Sequence, residues 1–196
     1  MDVYPPGIPD ECFFRGSVPM TKSEVRAITM SKARLRDGLR VLDLGAGTGS
    51  FSVEAGLLCP HGAVVAVERD PEALVVLREN LTRFHPGNVT VLEGEAPEIL
   101  AGLAPVDRIL LGGTGGRLDD LLAALPAFLR PGGWIVSNTI GLESTVAVLD
   151  GLRKAPWQQC EIVQVSINRG APLGNLTRFE PLNPIWVVSA QLGEST

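Results

Sequence analysis

Three alternating glycines in Val41–Ser50, VLDLGAGTGS, are the residues best able to hold a small ligand. Gly45, Gly47 and Gly49, with Ala46 and Thr48 between them, form G-x-G-x-G directly after an apolar run. Glycine permits positive φ and lets backbone amides approach a bound molecule closely. Glu68 ends a second apolar run, and from that position a carboxylate can accept both hydroxyl hydrogens of a ribose. EGEA, Glu93–Ala96, follows a third run and places further groups where an adenine can lie. The spacing therefore predicts a nucleotide-like ligand across three strand ends.

The glycine pattern discriminates between ligands. A dinucleotide fold prefers G-x-G-x-x-G, whose last glycine lets the helix pack closely and whose helix N-terminus faces a pyrophosphate. Here Ser50 stands at that last position and the third glycine comes one residue early. Asp43 adds a carboxylate before the turn, awkward beside a pyrophosphate and suited to a cationic ligand. A nicotinamide dinucleotide is the alternative, and Ser50 disfavours it.

The elements that must position these residues alternate between strand and helix. RVLDLG (Arg40–Gly45), AVVAVER (Ala63–Arg69), NVTVLEG (Asn88–Gly94), VDRILLGG (Val106–Gly113) and the run after LRPGG read as strands. Helical patterns follow from Gly49 to Leu58, from Pro71 to about Arg83, briefly near Ala96–Ala101, through LDDLLAALPAFL with a kink at Pro126, and through LESTVAVLDGLRK. Such alternation predicts an α/β fold, a mostly parallel sheet covered on both faces. Ahead of it, Thr21 and Glu24 read as a T-x-x-E capping box for an added helix. Behind it, Cys160–Arg169 and Pro184–Leu192 read as an antiparallel strand pair. The 14 residues between them, GAPLGNLTRFEPLN, read as a long loop with a binding or assembly role.

Length and composition bound the rest. The 196 residues suit one domain, 45% of them hydrophobic and 20% charged, enough for a substantial core. Within it, residues 1–38 form a front segment and helix, 39–155 the ligand-binding core and 156–196 the strand pair. A net charge of −5 argues against a general nucleic-acid binder. Neither a membrane-length apolar run nor a charged-then-apolar leader is visible. Three cysteines without C-x-x-C spacing suit a reducing cytoplasm, and Cys59 with His61 offers too few ligands for zinc, so no metal is expected.

The first four strands, with Asp43, the glycine turn, Glu68 and EGEA in order, resemble the class I S-adenosylmethionine-dependent methyltransferases. That resemblance implies a Rossmann-like, seven-stranded, mostly parallel sheet with an antiparallel last strand and helices on both faces. The outer segments narrow it. GIPDECFFRGSVPMTKSEVRAITMSKARL, LGGTGGRLDDLL and INRGAPLGNLTRFEPLNPIWVVSA together resemble the CbiT-type decarboxylating methyltransferases of cobalamin biosynthesis. The resemblance implies methylation of carbon 15 of a corrin precursor with loss of carbon dioxide from the ring C acetate. It places cofactor contacts on Thr21, Gly45, Ala46, Gly47, Thr48, Gly49, Glu68 and Ala96, and it implies a homotetramer. Methylation of another small molecule or of RNA, and a non-catalytic binding module, are the competing readings.

A substrate rich in carboxylates calls for arginine, whose planar fork binds carboxylate through two hydrogen bonds. Arg15, Arg117 and Arg169 each stand beside a glycine or at a predicted strand end, and are the expected substrate contacts; Arg178 is a weaker candidate. GGTGG, Gly112–Gly116, follows the fourth strand, on the edge where open parallel sheets hold ligands. Asp107 and Asp119 are available acids, and the sequence singles out no general acid or base.

Overall fold

The computed structural model describes residues 6–154 and 156–194. Nine strands and five α-helices alternate in it: α1 (Ser23–Lys32), β1 (Arg40–Leu44), α2 (Ser50–Leu58), β2 (Ala63–Glu68), α3 (Pro71–Phe84), β3 (Val89–Glu93), β4 (Val106–Leu111), α4 (Leu118–Ala124), β5 (Leu129–Thr139), α5 (Leu142–Leu152), β6 (Trp157–Val165), β7 (Asn168–Leu173), β8 (Leu176–Pro181) and β9 (Ile185–Leu192). Seven strands form one sheet in the order β3-β2-β1-β4-β5-β9-β6, and β7 and β8 pair separately. β1 to β5 run parallel to one another, while β9 is antiparallel to both its neighbours. This is the α/β sheet, with a reversed last strand, that the sequence predicts.

The central strands are apolar on both faces because helices cover both. Alternate residues of a strand point to opposite sides. Leu42 and Leu44 of β1 accordingly join a core with Ile109, Leu111, Ile135 and the apolar faces of α4 and α5. Val41 points the other way, to Val25 and Met30 of α1, Ala55 of α2, Val64 and Val136. A third cluster seats Leu74 and Leu77 of α3 against Ala46 and Ala66. Pro71 opens α3 where its missing N–H costs nothing; Asp70 caps it by accepting from the Glu72 N–H at 2.9 Å. Pro126 does not kink a single helix: α4 ends at Ala124, and a separate 3-10 turn, Leu125–Phe128, follows.

Two further expectations fail locally. The T-x-x-E capping box does not form. Lys22 is the N-cap of α1 without a side-chain cap, and Glu24 turns instead to Arg169 at 2.6–2.9 Å. A charged hydrogen bond to a guanidinium outweighs one more backbone amide. The long loop of the C-terminal part is the β7–β8 hairpin, turned at Gly174 and Asn175 with Leu173 opposite Leu176. Pro172 and Pro181 disguise it, since proline is confined to the edges of sheets, and a two-strand arm is all edge. The cue was Gly-Asn between the two leucines, a two-residue hairpin turn.

Candidate functional site

The C-terminal edge of the sheet gathers the predicted groups. Gly45 and Ala46 N–H both donate to the Val67 carbonyl at 3.0 Å, tying the turn after β1 to the end of β2. Gly45, Gly47 and Gly49 have φ of 70°, 55° and 74°, the left-handed region that favours glycine. At Gly45 the constraint is also steric, for a β-carbon would lie 2.4 Å from the Gly113 carbonyl oxygen. The tips of β1 and β4 therefore meet backbone to backbone, as the juxtaposition of G-x-G-x-G and GGTGG requires.

Glu68 closes β2, mostly buried. One of its oxygens accepts from the Gly47 N–H at 2.8 Å, the other from the Arg69 and Asp70 N–H groups at 2.8 and 2.9 Å. A carboxylate offers about four lone-pair sites, so three oriented amides fix this one and leave capacity for a ligand hydroxyl. Beside it a small cleft of about 60 Å³, open to solvent, is lined by Leu44, Gly45, Val67, Glu68, Ala96 and Leu121 among others. Arg69 reaches across its mouth, pairs with Glu95 at 2.5 Å and lies against Gly115.

Asp43 behaves differently from the expectation of a charge offered to the ligand. It is buried beneath the turn and accepts a hydrogen bond from the Ser52 hydroxyl. Burial, reinforced by the nearby Glu68, pushes its carboxyl up to about 7. Thr48 is buried too, and its carbonyl accepts from the Asn80 side chain at 2.8 Å. Thr21 lies just before α1, its carbonyl accepting from Arg26.

The arginines separate into two kinds. Arg117 grips both oxygens of Glu98 at 2.6 and 2.7 Å and also reaches Asp120. Arg169 grips both oxygens of Glu24 and adds Asp10 at 2.9 Å, pulling the Glu24 carboxyl down to about 2. Arg15 is exposed and forms no ion pair among the described residues. Asp107 is at the far end of β4 from the glycine turn, accepting from the Arg40 N–H and Arg130 at 2.8 Å. Asp119 is exposed on α4.

A sequence model of the precorrin methyltransferase domain matches residues 12–191. The chain belongs to the precorrin methyltransferase family. Among family members, it is 41% identical to the cobalt-precorrin-6B C(15)-methyltransferase (decarboxylating) of Salmonella typhimurium, over 95% of this chain and 96% of that one. It is likewise 41% identical to the probable cobalt-precorrin-6B C(15)-methyltransferase (decarboxylating) of Sulfolobus acidocaldarius, over 93% and 96%. The fold superposes on precorrin-6y C5,15-methyltransferase from Geobacter metallireducens with a TM-score of 0.90 and 37% identity, covering 94% of this chain and 97% of that one. For the precorrin-8w decarboxylase of Methanobacterium thermoautotrophicum the TM-score is 0.87 and the identity 34%, covering 95% and 100%.

Sequence reasoning missed three buried polar residues in this family member. Arg26 and Glu54 form an ion pair at 2.7 Å with both side chains buried, and Glu54 also accepts from the Gly7 and Ile8 N–H groups. Asn80 is fully buried on α3. A signal existed for Asn80: it lies three residues after Leu77 and six after Leu74, a polar side chain on an apolar helical face.

Proposed function

We propose that this protein methylates carbon 15 of a cobalt-precorrin or precorrin with S-adenosylmethionine and removes the ring C acetate carboxyl as carbon dioxide, in cobalamin biosynthesis. The observation that carries the reading is Glu68, anchored by three amides beside a glycine turn in a chain that matches named C-15 methyltransferases nearly end to end.

The residues present fit the cofactor. The glycine turn offers backbone amides without side-chain bulk, Glu68 accepts ribose hydroxyls, and Val67, Ala96 and Leu121 give the cleft an apolar wall. Thr21, in the turn before α1, completes the set. When bound, S-adenosylmethionine supplies an electrophilic methyl on a sulfonium. The reduced macrocycle brings its own electron-rich carbon, so the protein needs no nucleophile. Its task is to hold donor and acceptor in line at about 3–3.5 Å, an effect that can lower a barrier by up to roughly 7–11 kcal/mol. Arg15, with its fork uncommitted among the described residues, is the preferred partner for a substrate carboxylate. Arg117 and Arg169 serve the framework first, because their forks are engaged by carboxylates of this chain.

The fitting location is the cytoplasm. No helix of the described residues is long and apolar enough to cross a membrane, and the three cysteines are free. A homotetramer is the proposed assembly, supported by Leu173, Leu176 and Phe179 on the β7–β8 hairpin, all more than half exposed. Incubation with labelled S-adenosylmethionine and the ring-contracted precursor should give a product that gains one methyl and loses carbon dioxide; folded protein that produces neither change refutes the assignment. Calorimetric titration should show Glu68→Ala weakening cofactor binding more than Arg117→Ala, and equal losses would overturn the role given to Glu68.

A further inference from the structure

Residues 8–21 run as a strap past the glycine turn. The carbonyls of Ile8 and Thr21 both accept from the buried Arg26 guanidinium, so one side chain joins the two ends of the strap. Between them, Val18 and Pro19 pass over Gly47: a β-carbon there would lie 3.9 Å from Val18 Cγ1 and 3.8 Å from the Pro19 carbonyl oxygen. The middle is held by Phe13, buried with Val53 and against Phe84, by Arg83 stacked over the Phe14 ring, and by Asn80, which makes the side-chain hydrogen bonds to the Phe14 main chain. Asn80 Nδ2 donates to the Phe14 carbonyl and to the Thr48 carbonyl, each at 2.8 Å, and its Oδ1 accepts from the Phe14 N–H at 2.8 Å.

All three bonds are to main chain, and together they join the strap to the glycine turn through a helix that touches neither by backbone hydrogen bonding. An amide side chain is suited to this, since it carries donors and an acceptor on one rigid plane. Aspartate would keep the acceptor for Phe14 N–H, lose both donations and set a carboxylate against two carbonyls. We propose that Asn80 is a positioning residue that sets affinity for the cofactor by fixing the separation of strap and glycine turn. This rests on the reading that the glycine turn holds S-adenosylmethionine.

The test pairs Asn80→Ser and Asn80→Asp with Asn88→Ala. Asn88 also donates to a backbone carbonyl, that of Cys59 at 2.7 Å, but it lies before β3, at the opposite edge of the sheet. Calorimetry with S-adenosylhomocysteine should show Kd raised roughly tenfold or more by either Asn80 substitution, the consequence of leaving buried polar groups unpaired. KM for S-adenosylmethionine should rise in proportion to Kd, whatever the change in KM for the acceptor, whose proposed partner Arg15 rides on the same strap. Asn88→Ala should lower the melting temperature and leave Kd unchanged. Pro19→Gly, at an exposed position of the strap, loosens it without removing a buried side chain, and should raise Kd several-fold. Amide exchange in residues 8–21 should quicken in the Asn80 variants. Unchanged Kd alongside quickened exchange overturns the proposal and leaves the cofactor reading intact. Wild-type protein that binds no S-adenosylhomocysteine overturns both.

Discussion

The glycine-turn end of the sheet and the β7–β8 hairpin are built from similar residue types and are opposites physically. Both contain glycine with positive φ, arginine and carboxylate, and large apolar side chains. Around the turn, Gly45 abuts Gly113 and Gly49 abuts Leu77, so the backbone has no room to shift. In the hairpin, a β-carbon on Gly174 would meet nothing within 4 Å, every residue of β8 is exposed, and Phe179 is 72% accessible. Gly45 and Gly49 are demanded by both dihedral angle and surroundings; Gly174 is demanded by its dihedral angle alone. The arm is moored to the strap and α1 by Arg169 through Asp10, Ser23 and Glu24. Its apolar side chains have no function in the protomer's own core.

The contrast can be broken most sharply at Arg26. Arg26→Ala leaves Glu54 buried without its counter-charge, a class of change that costs about 3–5 kcal/mol. Urea unfolding should record it, and a loss below about 1 kcal/mol would show the buried network to be dispensable. Next comes Gly45→Ala against Gly174→Ala. Both place a side chain on left-handed backbone, worth about 1–2 kcal/mol, but only Gly45→Ala adds a collision with Gly113 backbone. Equal destabilisation would erase the distinction between the two regions; retention of S-adenosylhomocysteine binding by Gly45→Ala would remove the turn from the cofactor site.

Acidity separates the regions further. In the native protein Asp43 holds its proton up to about 7, against an ordinary 3.8. The folded state binds that proton more tightly, so this contribution is complete below about pH 4 and disappears as pH rises through about 7. Glu24 is moved from 4.5 to about 2 by Arg169, so its contribution is present above about 4.5 and falls away as pH drops toward 2. It is discounted by solvent, since the pair is about 40% exposed. Asp43→Asn, which still accepts from Ser52, should gain on wild type between pH 4 and 8 in urea midpoints. A constant difference across that window would contradict the buried acid.

The smallest protomer effect is expected on the exposed side chains of the arm. Leu176→Ser with Phe179→Ser should change monomer stability by no more than about 0.5 kcal/mol, since neither side chain is buried. Light scattering should show a smaller assembly than wild type if the proposed tetramer forms through the arm, at unaltered cofactor affinity. A large loss of protomer stability would place the arm in the core after all.

Sequence by itself determined the features whose causes are local. Apolar runs of strand length, glycines where φ is positive, Pro71 at a helix start and an acid at the end of β2 each announce themselves within a few residues. Repeated in order, they set the alternation of strand and helix. Only the tertiary structure decided which charges meet. Arg169 and Glu24 are 145 residues apart in the chain and touch across a fold, so neither the failed capping box nor the arginine's engagement could be read from its neighbours. The same holds for Asp43, whose proton depends on how completely the sheet and α2 exclude water from it. It holds too for Asn80, whose two partner residues, Phe14 and Thr48, come from separate segments. A chain signals its dihedral and burial preferences residue by residue; ion pairing and desolvation are properties of the assembled interior.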